Sequence, residues 1–170
     1  MPSISKAVTI FDQQKVDPWF AQSILLIESP KKLEFSNAGA YGPFQLMKYV
    51  GRQHGLTITS EVDERADFSK AAVASAMHFR EICIPETKKL LRARNIRFDE
   101  SEVWFRLLVL HVYHAGASNV NGALRKMRPQ HGGMDLIRTL WKTRYRRFGN
   151  SSQNYSQVAL ATLLELDYIM

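Results

Sequence analysis

The stretch LLIESPKKLEFSNAGAYGPFQLMKYVG, residues 25–51, contains the most informative pattern in this sequence of 170 residues. An apolar run ends on one carboxylate, Glu28, and a segment rich in small residues then leads to a Gly-Pro-Phe-Gln sequence at residues 42–45. Glycines let the backbone approach a neighbouring group closely. A carboxyl group that points into apolar surroundings has a raised pKa, because burial disfavours its charged form. The stretch therefore indicates either a solvated helix end or an acid that stays protonated near neutral pH.

The residues before this stretch predict that it begins with a helix, in a chain that forms one domain over residues 1–170. Asp17-Pro18 is typical of a helix start, with Asp as the N-cap and Pro in the first turn. The apolar residues that follow recur at helical spacing. We expect Pro30 and the lysine pair behind it to end this helix.

The next two predicted helices follow the small residues. One runs from Pro43 to Gly55. The other covers residues 70–95, with Asp67 or Ser69 as its cap. Pro85 removes a backbone donor and clashes with the preceding turn, so we expect it to kink or break this helix.

The most apolar helix is predicted for VWFRLLVLHVYHAG, residues 103–116, after a capping sequence at residues 99–102. A helix that is apolar on every side is buried, so this one is expected at the centre of a mainly α fold with roughly seven helices. The remaining predicted helices are a short one from Ser118 or Asn119, one within residues 132–149 that Gly149 closes, and a last one over residues 154–169.

The composition limits the class of protein. Hydrophobic residues make up 45% and charged residues 23%, as in a globular domain, and no apolar run reaches the length of a membrane span or of a signal peptide. The one cysteine, Cys83, cannot form an internal disulfide and is interpreted as a small buried residue. The net charge of +7 favours a polyanionic partner, such as nucleic acid, an anionic membrane surface or an acidic cell-wall polymer.

Three stretches place polar groups beside glycines at predicted helix ends. They contain Glu28-Ser29, Gln45, and the pair Tyr113-His114. Cleavage of a glycoside needs a protonated carboxyl group to supply a proton to the leaving oxygen. Hydroxyl and amide groups orient a sugar without adding charge. The three stretches together predict a groove for a polar ligand with Glu28 as its acid.

In order and spacing, these stretches resemble the catalytic domain of the soluble lytic murein transglycosylases, which are close in fold to goose-type lysozymes. The family pattern is a Glu-Ser pair, a Ser-x-x-Gly-Ala-x-Gly-x-x-Gln-x-Met run, an Ala-Tyr-Asn-x-Gly stretch and a late Tyr. The resemblance covers roughly residues 16–160. The matching segments here are Glu28-Ser29, SNAGAYGPFQLM (residues 36–47), VYHAG (residues 112–116) and Asn154-Tyr155.

The resemblance implies a lysozyme-like helical domain that cleaves the β-1,4 bond between N-acetylmuramic acid and N-acetylglucosamine. Glu28 would act first as general acid and then as general base, and Tyr155 would hold or position it. The reaction would use no water and would leave an anhydro-muramic end. The residues that would bind the glycan strand are Ser29, Gly42, Phe44, Gln45, Tyr113, His114 and Tyr155.

The same resemblance implies the setting in which the protein works. Its partner would be the peptidoglycan glycan strand, with no nucleic acid, no cofactor and no metal, and the protein would be a monomer without a transmembrane segment. Peptidoglycan lies outside the cytoplasmic membrane, so we expect a bacterial protein that is periplasmic or secreted, in a mature form without a signal peptide.

Two departures from the family pattern bear on the reaction. His114 stands where the family has Asn, which changes a hydrogen-bonding group near the sugar. Pro43 and Phe44 replace Leu-Met before the glutamine, which stiffens the turn and adds a ring that we expect to shape the groove. Glu34 is the only carboxylate between Glu28 and the glutamine, and its two neighbouring lysines favour a solvated loop charge.

The alternatives are a lysozyme-type hydrolase and proteins of other classes. A hydrolase would need a second carboxylate about 6.5–9.5 Å away to activate water, and a deacetylated glycan would favour that route. A catalytically inactive wall-binding module is the second class, and a basic nucleic-acid-binding domain with the KTRYRRF run (residues 142–148) is the third. His111 and His114 have no third ligand at suitable spacing, and Cys83 has no evident histidine partner.

Overall fold

The computed structural model of the chain describes residues 2–28, 35–36, 38–146, 148 and 155–161, but not the side chains of Pro2 and Glu28. Helices dominate these residues, which contain isolated β-bridges but no β-strand. The predicted mainly α class is therefore confirmed. The chain groups into two compact units, residues 1–80 and 81–170. The lysozyme-like arrangement and the single domain stay predictions.

In its described residues, the first unit contains four α-helices: α1 (Pro2–Gln13), α2 (Trp19–Glu28), α3 (Lys48–Gln53) and α4 (Phe68–His78). Helix α1 packs against α2 and α4, and α3 packs against α4. Helix α2 begins as predicted, because Asp17 Oδ1 accepts the backbone N–H of Trp19 at 2.9 Å. Helix α1 was not predicted. Its buried Ala7 and Phe11 lie four residues apart on one face, which is the signal that could have indicated it.

Phenylalanine rings fill the core of the first unit. Phe44 is fully buried, with its ring centroid 6.1 Å from Phe11 and 5.4 Å from Phe68. Phe79 packs at 6.1 Å from Phe11 and 4.7 Å from Phe20. The prediction that the Phe44 ring binds substrate is therefore wrong for this structure. The extra ring belongs to the core, because its apolar surface is removed from water there.

Helix α3 is shorter than predicted. It begins at Lys48, after an extended Met47, and not at Pro43. The reason is that Gln45 adopts a left-handed backbone conformation with φ 47°, which cannot continue into a right-handed helix. Residues 41–46 form a tight turn in its place, with Tyr41 and Leu46 paired across it.

The predicted helix over residues 70–95 is interrupted near Pro85, as expected. Helix α4 ends at His78, five residues of π-helix follow (Phe79–Cys83), and α5 (Ile84–Arg92) begins with the proline in its first turn. Asp67 caps α4, because its carboxylate accepts the backbone N–H of Lys70 at 2.9 Å.

The second unit is built around α6 (Val103–Ala115), which packs against α5, α7 (Ala117–Met127) and α8 (Met134–Lys142). Most of α6 is buried, as predicted for the most apolar segment. Gly116, with φ 82°, ends α6 and allows α7 to begin at the next residue. Residues 155–161 are helical as well.

Helix α8 ends earlier than predicted. Thr143 is extended, and Tyr145 and Phe148 exchange two backbone hydrogen bonds of 2.7 and 2.8 Å. The predicted closing residue, Gly149, lies outside the described residues. In the part of the chain that the structure describes, we find no helix with the length and apolarity that a membrane crossing requires.

Candidate functional site

Glu28 is the last residue of α2. The helix before it carries a buried face that includes Ile24 and Leu25, both with no exposed surface. Ser23, also buried, donates its hydroxyl hydrogen to the carbonyl of Trp19 at 2.8 Å and so adds no unsatisfied polar group to this face. The Glu28 side chain, Ser29 and Glu34 lie outside the described parts of the structure.

Gln45 is held by the turn in which it lies. Its backbone N–H and its side-chain Nε2 both donate to the carbonyl oxygen of Gly42, each at 3.0 Å. Tyr41 and Leu46 close the same turn with backbone hydrogen bonds of 3.0 and 3.1 Å. Pro43 stands at the second turn position, where its fixed φ is already suitable. The turn therefore sets the direction of the Gln45 amide.

Gly42 is required by packing inside the protein. Its φ is 83°, and a Cβ at this position would lie 2.0 Å from the carbonyl oxygen of Arg65. Gly42 is buried, and the group that it approaches closely is the backbone of Arg65. Gly42 was predicted to bind the glycan strand; in this structure the group that it admits is the backbone of Arg65, and a part in glycan binding stays a prediction. Gly39, with φ 87°, has nothing within 4 Å of its virtual Cβ.

Arg65 holds the segment around this turn and was not recognised from the sequence. Its guanidinium is completely buried and donates to the carbonyl oxygens of Gly39 at 3.1 Å and Leu46 at 2.8 Å. It also forms a two-pronged ion pair with Asp63, at 2.9 Å to Oδ1 and 2.7 Å to Oδ2. These bonds hold the pKa of the Asp63 carboxyl below its usual value. We call this group, Arg65 with Asp63 and the two carbonyls, the arginine clamp.

The second unit brings together two predicted site residues that are far apart in the chain. His114, at the end of α6, stacks on Tyr155 with ring centroids 4.1 Å apart and an angle of 16° between the planes. Tyr155 is buried, and Tyr113 is half-buried. Part of the surface of His114 is exposed to solvent, but Tyr155 covers one face of its ring. Burial lowers the pKa of His114 below its ordinary value, so the imidazole is neutral at pH 7.

A buried hydrogen-bond network lies next to this stack. Ser156 Oγ is 2.6 Å from His111 Nε2, and it accepts the indole N–H of Trp141 at 2.7 Å. Because the indole nitrogen can only donate, the serine hydroxyl has its hydrogen available for His111. His111 and Ser156 are fully buried. We call these three residues the serine network; it joins α6, α8 and the helical segment that contains Tyr155.

The structure divides the predicted site residues into two groups. Gly42 and Gln45 lie in one turn of the first unit, and His114 and Tyr155 stack in the second. Arg65 and Ser156 were missed because the Gly39 and Leu46 carbonyls lie 26 and 19 residues from Arg65, and His111 lies 45 residues from Ser156. An arginine two residues after Asp63 and a serine directly after the late tyrosine were the only local signals.

The structure also bears on two other kinds of site, a thiol nucleophile and a metal site. Cys83 is buried, and burial raises the pKa of its thiol, so it is not a nucleophile at neutral pH. Among the residues that the structure describes, no three His, Cys, Asp or Glu side chains lie close enough to hold a metal ion.

Comparison of the chain with protein-family models, with curated proteins and with solved structures found no match.

Proposed function

We propose that this protein cleaves the β-1,4 bond between N-acetylmuramic acid and N-acetylglucosamine in peptidoglycan as a lytic transglycosylase, with Glu28 as its acid and base. The observation that carries the proposal is the ordered set of motif segments in a mainly helical chain. The stacking of His114 on the late Tyr155 supports it, because two motif residues with no local connection meet directly. The position of Glu28 at the end of a helix with a buried apolar face is consistent with it.

The proposed reaction uses one carboxyl group twice. Protonated Glu28 donates its proton to the glycosidic oxygen as the bond to C1 of the muramic sugar breaks. The substrate's acetamido group stabilises the positive charge that develops at C1. Glu28, now a carboxylate, accepts the proton of the C6 hydroxyl while that oxygen attacks C1. The products are an anhydro-muramic end and a free 4-hydroxyl group, and no water is consumed.

The replacement of Asn by His114 is compatible with this chemistry. An asparagine supplies a neutral donor and acceptor, and a neutral imidazole supplies one of each as well. The lowered pKa keeps His114 neutral at pH 7. The substitution therefore adds no positive charge at this motif position. Because peptidoglycan lies outside the cytoplasmic membrane, the proposal places the protein in the periplasm or outside the cell.

The test is digestion of purified peptidoglycan, acetylated and deacetylated, with mass spectrometry of the released fragments. Wild type is expected to release fragments lighter by one water than hydrolysis products. Glu28→Gln is expected to fold and to release none. Glu86→Gln, a carboxylate on the surface of α5 that pairs with Lys89, is the matched control and should act like wild type.

Other outcomes point to the other functions. Ordinary reducing ends would indicate a lysozyme-type hydrolase, and Glu34→Gln would then test the second carboxylate. Fragments released equally by Glu28→Gln would refute the role of Glu28. Binding to the wall with no fragments from either substrate would identify an inactive wall-binding module.

A further inference from the structure

An open hollow in the first unit combines three residues of the motif segment 36–47 with four side chains outside that segment. Its volume is about 720 Å³, within the range of small-molecule sites. It lies where the segment before the turn meets α3. Its lining residues are Phe35, Ala38, Gly39, Met47, Lys48, Tyr49 and Arg52.

Two large rings are exposed at this hollow. Phe35 is 62% exposed and Tyr49 is 67% exposed, and covering their apolar surface with a ligand would be favourable. Phe35 is fixed on one side, because it stacks on Tyr41 with centroids 4.3 Å apart and an angle of 16°. The buried Arg65 guanidinium supports both rings, at 5.7 Å from Phe35 and 5.3 Å from Tyr41. Phe35 is therefore a preformed flat surface for a ligand.

The hollow is positively charged. Lys48 and Arg52 line it from α3, and Arg52 is oriented by a hydrogen bond from Nη2 to the carbonyl of Ile58 at 2.6 Å. None of its lining residues in the described part of the chain is acidic. Asp63 is close enough for Lys48 to contribute to its lowered pKa, but its carboxylate is already paired with Arg65. An anion in the hollow would meet two cations.

We propose that this hollow binds a carboxylate-bearing saccharide. The apolar face of a sugar ring packs on Phe35 and Tyr49, and the carboxylate is bound by Lys48 and Arg52. The inference rests on the proposed function in one respect: it identifies the sugar as the muramic acid unit, whose lactyl group or attached peptide carries the carboxylate. A single-stranded nucleic acid also uses rings and cations, but it needs a basic groove that follows several phosphates. Among the described residues, two cations line this hollow and no row of several cations follows it, which favours the saccharide.

The experiment is an NMR titration of the wild-type chain with labelled methyl groups, using Met47 and Ala38 as reporters because their side chains line the hollow. The probes are N-acetylmuramic acid and N-acetylglucosamine, which differ by the lactyl carboxylate, and a short oligothymidylate. We expect N-acetylmuramic acid to shift both reporters and to bind several times more tightly than N-acetylglucosamine.

Variants locate the binding. Tyr49→Ala should weaken the binding of N-acetylmuramic acid about threefold to tenfold, as expected for loss of a stacking ring. Lys48→Ala should weaken it about twofold to fivefold, as for an exposed ion pair. Lys89→Ala removes the same charge from an exposed position on α5 and should leave binding unchanged.

The outcomes separate this proposal from the proposed function. Absence of a shift at Met47 and Ala38 with both sugars would overturn the saccharide site, even if peptidoglycan digestion succeeded. Tighter binding of oligothymidylate at the same reporters would overturn it in favour of nucleic acid. Selective binding of N-acetylmuramic acid without any digestion would support the site and refute cleavage.

Discussion

The two units hold their motif residues by different means. In residues 1–80 the arginine clamp uses a buried charge to fix the turn that contains Gln45. In residues 81–170 the serine network joins a hydroxyl, an indole and an imidazole by hydrogen bonds, and His114 stacks on Tyr155. A buried ion is costly when its partner is removed, because it is left without solvation. A neutral hydrogen bond has a smaller net effect. Substitutions in the arginine clamp should therefore lower the free energy of unfolding more than substitutions in the serine network.

The largest expected effect is the loss of the clamp. Arg65→Met keeps most of the side-chain volume but removes the partner of Asp63 and of two carbonyls. We expect it to lower the free energy of unfolding by about 3–5 kcal/mol, because the carbonyl oxygens of Gly39 and Leu46 lose their donor and the partly exposed Asp63 carboxylate loses its partner. Chemical denaturation measures this. Asp63→Asn combined with Arg65→Met should recover part of the loss, and a loss below about 1 kcal/mol would contradict the clamp.

A second test compares two glycines on the same segment. Gly42→Ala places a Cβ against the Arg65 carbonyl in a left-handed conformation, so we expect a loss of about 3 kcal/mol. Gly39→Ala has a similar φ but open space around it, and should cost only about 1 kcal/mol. Thermal unfolding of the pair separates packing from conformational strain. Equal losses would show that Gly42 is needed for its φ alone.

Low pH should lower the stability of the first unit, because His78, which lies against His54, is harder to protonate in the folded chain than in the unfolded chain. Burial and the neighbouring His54, 3.2 Å away, lower the pKa of His78 to about 4. In the unfolded chain the pKa is about 6.5, so below that pH the unfolded state binds the proton first. The free energy of unfolding should have its full value above pH 6.5 and should fall by roughly 2 kcal/mol between pH 6.5 and pH 5. His78→Gln should flatten this profile, and an unchanged slope would exclude His78 as its cause.

The smallest expected effect concerns the serine network. Ser156→Ala removes the oxygen that binds Trp141 and His111, and we expect a loss of about 1–2 kcal/mol. Ser5→Ala, at an exposed serine of α1, is the control and should change stability by less than about 0.5 kcal/mol. A loss from Ser156→Ala as large as that from Arg65→Met would remove the difference between the two units.

Several features were predictable from the sequence because their causes are local. The caps at Asp17 and Asp67, the break at Pro85 and the helix end at Gly116 depend on residues within one turn. The burial of α6 follows from its own apolar composition. The motif residues were also found by order and spacing, and their roles in catalysis stay proposals.

Tertiary structure decided the features whose causes are distant in the chain. Arg65 is 26 residues from Gly39, and His111 is 45 residues from Ser156, so no short pattern could indicate either contact. The left-handed Gln45 before α3 and the backbone pairing of Tyr145 with Phe148 after α8 are local, but the residue types there do not specify these conformations. Phe44 joined the core because two distant rings offered it an apolar surface. Local sequence was enough for the capped helix starts at Asp17 and Asp67 and for the helix end at Gly116, because capping acts within a turn. Only the folded chain could show which polar groups are buried together, because that depends on long-range packing.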